Sequence, residues 1–144
     1  MSTVVQGILL AVIGVLLFGL IIFIHEFGHF FTAKLSHVRV NEFSIGMGPK
    51  LFSFTRGETQ YSLRLLPIGG YCAMEGEDEK SDDPRAFGNR PVWQRMIVVA
   101  AGGIMNILLA VLLMMVICGQ EDRYATMRIA GFAENSAFEA AGVE

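Results

Sequence analysis

The sequence predicts an α-helical multi-pass membrane protein with a membrane-associated β-hairpin region between two transmembrane helices. Three observations carry that expectation. Two long apolar runs lie far apart in the chain, a stretch of short alternating segments separates them, and most of the Lys and Arg fall in that stretch. Of the 144 residues, 53% are hydrophobic and 17% charged, and the apolar ones are clumped rather than spread.

The first run, residues 4–24, has Gln6 as its only polar side chain. As a helix it would be about 31 Å long, enough to cross a hydrocarbon core of roughly 30 Å. Nothing further breaks the helix before Lys34 except Gly28, and membrane helices tolerate glycine. The first transmembrane helix is therefore expected over 4–34. No Lys or Arg precedes it, the apolar run is long for a signal peptide, and no small-residue cleavage site follows, so a retained helix is expected.

Residues 38–75 change character. "LFSFT" at 51–55 and the β-rich 60–66 flank "RGET", which predicts a hairpin within a membrane-associated β region. Residues 76–95 begin as a mostly acidic, solvated loop and end in "NRPVWQR", where Trp93 stands between arginines as membrane-interface anchors do. The second run, 96–118, carries no charge and one conspicuous polar residue, Asn106. It would form a second transmembrane helix of about 34 Å. The tail, 124–144, begins like a small soluble domain and stops with apolar residues unpacked, so a truncated chain is expected.

Charge sets the orientation. Nine of the eleven Lys and Arg lie between positions 34 and 95, two follow the second helix, and none precedes the first. The positive-inside rule places the central segment in the cytoplasm and both termini outside. A net charge of −3 gives no reason to expect nucleic acid as a partner. Cys72 and Cys118 lie in different regions and form no metal-like spacing, so neither is assigned a role.

The chemistry sits at the end of the first helix, in "IIFIHEFGHFFTAK". His25-Glu26-Phe27-Gly28-His29 is an H-E-x-x-H, and helical positions i and i+4 share a face. Two imidazoles so placed can grip one Zn²⁺, with Glu26 as general base toward a water at the metal. In water such a motif competes with chance. Within a membrane span each ionisable residue costs at least about 2.5–3.5 kcal/mol, which favours a functional site. With Lys34 at the boundary, Glu26 lies about 12 Å inside, so water must reach it through a cavity that two helices cannot enclose. Zinc also needs a third protein ligand. His37 lies twelve positions past His25, about 18 Å along a continuous helix, and cannot share the ion. The third ligand is expected outside this sequence. Asn106 admits two readings: a helix-to-helix hydrogen bond, with Gly102 and Gly103 allowing close packing, or an amide facing substrate.

Taken together, these elements resemble the site-2 protease family of intramembrane zinc metalloproteases. The likeness is to the bacterial branch that carries PDZ domains, the regulator of sigma-E protease type. "HEFGHF", "FSIGMGPKLFS", "YSLRLLPIGGYCAMEGE", "AFGNRPVWQRMIVVAAGGIMNILLA" and "IAGFAENSAFEAAGV" carry the resemblance, in that order. It implies that His25 and His29 are zinc ligands, Glu26 the general base and Asn106 a substrate-binding amide. It implies that 124–144 opens a PDZ domain and that later transmembrane helices supply the third ligand from a Leu-Asp-Gly helix. This chain alone is then expected to be inactive. Gly103-Ile104 stands where the family usually has Gly-Pro. The resemblance further implies a bacterial inner-membrane location, with the active site near the cytoplasmic side and the PDZ side extracytoplasmic. Its expected substrates are single-pass membrane proteins such as anti-sigma factors or signal-peptide remnants.

A membrane-embedded substrate helix hides its carbonyls, so an edge strand within 51–74 is expected to hold it extended by β-augmentation. A proline at Leu63 or Leu65 is the corresponding disruption. Two rival readings use the same residues: a membrane metal transporter or metal sensor, and an inactive binding scaffold.

Overall fold

The computed structural model describes residues 3–120. The expected PDZ segment, 124–144, lies outside the described residues. Helix α1 spans Thr3–Leu35, strand β1 Val40–Arg56, strand β2 Thr59–Met74, a 3-10 turn Phe87–Asn89, and helix α2 Val92–Gln120. Both helices are long and apolar enough to cross a membrane. Their large apolar side chains are exposed over most of their length, as suits helices whose solvent is lipid.

Helix α1 ends in a Schellman turn. His37 N–H donates to Lys34 O at 3.1 Å and Val38 N–H to Ala33 O at 2.8 Å, with His37 in the left-handed conformation at φ 57°. Val38 and Ala33, the paired apolar residues of that turn, are both buried. His37 is thus a cap residue beyond the helix and takes no part in the motif at 25–29.

The hairpin is larger than expected. The expected pairing of 51–55 with 60–66 is present beside the turn at Gly57, where φ is +66°, with 52–55 against 60–63, and two long strands extend it to Val40 and Met74. Each also bends in the middle, β1 at Gly46 and Gly48 and β2 at Gly69, all at positive φ. The bends fold the ribbon back on itself. Residues 42–45 pair on one side with 70–73, running antiparallel, and on the other with 60–63, where both residue numbers rise together. The result is four strand segments side by side, in the order 70–74, 40–45, 59–64, 50–56.

A polar cluster fastens this double bend. Glu42 accepts from Ser62 Oγ at 2.5 Å and Arg64 at 3.2 Å, and pairs with Lys50 at 3.1 Å. Arg64 also donates to Ser44 Oγ, to Gly48 O and to the Tyr71 hydroxyl. Burial works to raise the Glu42 carboxyl, but the hydrogen bonds from Ser62, Lys50, Tyr71 and Arg64 outweigh it and hold the group down at about 2.

The sheet lies along α1. At the helix end, Val38, Val40, Phe43, Cys72 and Met74 form a buried core with Ala33 and with Val98 of α2. Phe30 packs on Phe43 with ring centroids 4.8 Å apart. Farther up, a β-carbon on Gly19 would lie 2.5 Å from Pro67 O, so the bend of β2 touches the helix there. From Gly19 to Lys34 is about 22 Å of helix. Around that bend Leu51, Phe52, Leu63, Leu65, Leu66 and Ile68 are exposed.

The loop after β2 is acidic and largely exposed, as expected, yet it is fastened at both ends. Arg39 pairs with Asp83 at 3.0 Å, Glu75 accepts from Ser81 at 2.7 Å, and Asn89 donates to Ser81 O and Asp83 O. Glu58, in the β-turn, binds both Lys34 of α1 and Arg85 of the loop. Helix α2 begins earlier than expected because Pro91 opens it, its carbonyl accepting from Gln94 and Arg95.

Candidate metal centre

Helix α1 carries His25, Glu26 and His29 over its penultimate turns, where the sheet and α2 both reach it. The helices approach at Gly28: a β-carbon there would lie 2.6 Å from Ala101 O and 2.8 Å from Met105 Cγ. Only a glycine lets α2 come that near. The structure therefore puts the close approach at Gly28 and Ala101, and Gly103 has nothing within 4 Å of its β-carbon position.

Gly102 does something else. A β-carbon on it would lie 2.5 Å from His29 Nε2 and 2.7 Å from His25 Nε2. Both nitrogens, with His25 Cε1 at 2.8 Å, crowd the one shallow hollow that the missing side chain leaves in α2. The rings sit edge to face with centroids 4.8 Å apart. Converging on one point, the two Nε2 atoms are placed as two ligands of one ion would be. His29 Nδ1 lies 2.7 Å from Val98 O, so Nδ1 carries the proton and Nε2 keeps its lone pair for a metal. His25 Nδ1 lies 3.3 Å from Asn106 Nδ2. The far end of that amide is buried and has no partner among the described residues.

Glu26 turns toward the sheet rather than into lipid. Its carboxylate faces the backbone N–H of Cys72, and its Cγ lies 3.5 Å from the β-carbon position of Gly70. The next outward N–H of that strand, at Met74, donates to Glu77 at 3.3 Å. The edge 70–74 is thus the one beside the motif. Leu63, by contrast, lies in an inner segment, paired with Ile45 on one side and Phe52 on the other. A proline at Leu63 would break the sheet itself, so the edge test belongs at 70–74.

Among the described residues, no third His, Cys, Asp or Glu completes a metal cluster. Cys72 is near, but burial, with the charges of Glu26 and Glu77 added, pushes its thiol up to about 12. It packs as a core residue. What sequence reasoning missed are the Val98 carbonyl, the hollow at Gly102 and the contact between Glu26 and Cys72. The first and last are backbone groups with no sequence signature, and the only trace of the hollow was a glycine four positions before Asn106.

This geometry has a family. The sequence matches Peptidase family M50 over residues 13–141, and the chain belongs to that family, the site-2 proteases. It is 48% identical over 133 residues to a Clostridium acetobutylicum protein, covering 92% of this chain and 39% of that one. A Fusobacterium nucleatum protein is 45% identical over 130 residues, 88% of this chain and 38% of its own length. Both bear the name "Putative zinc metalloprotease". An Arabidopsis thaliana chloroplast protein named as a membrane metalloprotease is 43% identical over 94 residues, 62% of this chain and 21% of its own. The chain thus spans 39% of the length of the first of these relatives.

Proposed function

We propose that this chain is the amino-terminal part of an intramembrane zinc metalloprotease that cuts transmembrane segments of single-pass membrane proteins. One observation carries the reading: His25 and His29 turn their Nε2 atoms into a common hollow at Gly102, with Glu26 between them in sequence. Held by His25 and His29, a zinc ion would supply Lewis acidity, lowering the pKa of a water and polarising the scissile carbonyl. Glu26 takes a proton from the attacking water as the new C–O bond forms, and passes it to the nitrogen as the C–N bond breaks. The third ligand would come from a later transmembrane helix. Asn106 stands within reach as an amide donor to the substrate carbonyl.

Helices α1 and α2 would span the bacterial inner membrane with residues 35–91 toward the cytoplasm and the PDZ domain outside. The exposed leucines and phenylalanines around the sheet's bend support placing that bend in lipid, its backbone paired within the sheet. Substrate would pair along the edge 70–74, displacing the Glu26 contact to Cys72 as it does so. Anti-sigma factors and signal-peptide remnants are the substrates that the family implies.

The test is Glu26→Gln in the complete protease. Zinc content should stay at one per chain while cleavage of a single-pass membrane substrate falls below detection. Undiminished cleavage would remove Glu26 from the chemistry. Metal flux across vesicles with no cleavage by the parent protein would favour a transporter instead.

A further inference from the structure

The hollow between the histidines is furnished from α2, and three residues of that helix do it. Val98, Gly102 and Asn106 are spaced by four and so form one stripe. Val98 O lies against His29 Nδ1, Gly102 leaves the hollow beneath both Nε2 atoms, and Asn106 lies against His25 Nδ1. For both Nε2 atoms to offer lone pairs, both Nδ1 atoms must carry protons, and each proton needs an acceptor. His29 has one in the Val98 carbonyl. His25 has Asn106 at 3.3 Å, and no other hydrogen-bond partner at that nitrogen among the described residues.

As placed, Asn106 Nδ2 faces the ring and Oδ1 is buried without a partner among the described residues. But the two ends of a carboxamide have the same shape, and hydrogen bonding decides which of them faces the ring. An Nδ2–H₂ there would demand the Nδ1 lone pair and force the ring proton onto Nε2, closing the nitrogen that borders the hollow. We propose that Asn106 presents Oδ1 to His25, accepts its Nδ1–H, and so fixes the metal-binding tautomer before any metal arrives. Asn106 is then a positioning residue for the metal ligand, and its Nδ2–H₂ remains to donate elsewhere. This inference rests on the zinc-protease reading for its purpose, but the tautomer itself is observable in the metal-free chain.

The experiment is ¹⁵N NMR of histidine-labelled protein, stripped of metal and held at a pH where the imidazoles are neutral. His25 and His29 should both be Nδ1–H tautomers in the parent chain. In Asn106→Ala, His25 should revert to Nε2–H while His29, held by the Val98 carbonyl, stays Nδ1–H and reports that the helices remain packed. Asn106→Asp keeps an acceptor and should restore Nδ1–H at His25. Affinity for Zn²⁺, measured by chelator competition, should fall by about 10–100-fold in the alanine variant and recover in the aspartate variant. An Nε2–H tautomer at His25 in the parent chain overturns the proposal, as does an Nδ1–H that survives Asn106→Ala. Should both rings change in the alanine variant, the aspartate variant decides: Nε2–H at His25 there also overturns it. If the tautomers are as stated but the complete protease neither binds zinc nor cleaves, the function fails and the positioning role stands.

Discussion

At the scale of single residues, the centre depends as much on an absent side chain as on those present. Gly102→Ala would put a methyl 2.5–2.7 Å from both Nε2 atoms, so both rings would have to move off their shared point. Zinc content of the purified protein should fall from one per chain to near zero. Helical circular dichroism should stay unchanged, because alanine favours helix over glycine by roughly 1 kcal/mol. Retained stoichiometric zinc would mean that the ion sits elsewhere. The H-E-x-x-H was fully legible in the sequence, since helical periodicity alone puts His25 and His29 on one face. Gly102 was not. A glycine beside another glycine suggested close helix packing, and only the crossing at Gly28 shows that the packing is done there.

At the scale of elements, the β region is where sequence and structure part most. Short alternating runs at 51–55 and 60–66 and their turn were legible because strand period and turn chemistry are local. The refolding of the ribbon into four segments was not, because it depends on side chains far apart in sequence converging on Glu42. That convergence gives a pH signature. The folded carboxyl titrates near 2 against an ordinary 4.5, so its contribution is complete above about pH 4.5 and is lost as pH falls toward 2. Thermal melts in detergent should show Tm dropping across that window. Glu42→Gln should cost about 1.5–3 kcal/mol at neutral pH, as expected of a hydrogen-bonded charge, and flatten the acid limb. A Glu42→Gln melt that parallels the parent at every pH would show that Glu42 does not fasten the bend. The edge has its own test. Cys72→Pro removes the outward N–H beside Glu26, on the side away from β1, and should abolish substrate cleavage with zinc still bound. Unchanged cleavage would move substrate pairing off this edge.

At the scale of the whole molecule, the proposed centre has two ligands among the described residues, both on the first of two long apolar helices. The detergent-purified chain should bind zinc weakly, and co-production with a carboxyl-terminal segment carrying a Leu-Asp-Gly helix should raise it to one per complex. Tight stoichiometric zinc on the lone chain would point to a third ligand from residues 121–144 or from a second copy. The two long apolar helices were plain in the sequence, with α1 and α2 extending one to four residues past the expected bounds at each end. The depth of the sheet beside α1 was not, because it rests on the contact of Gly19 with Pro67, forty-eight positions away.

The edge at 70–74 also bears on pairing between copies. An open strand edge is a template for another chain. Here two of its outward N–H groups face carboxylates, Glu26 at Cys72 and Glu77 at Met74. A polypeptide strand that would grow the sheet must first displace a charge from each. Aggregation through that edge is thereby discouraged in part by the same glutamate that we propose as the general base.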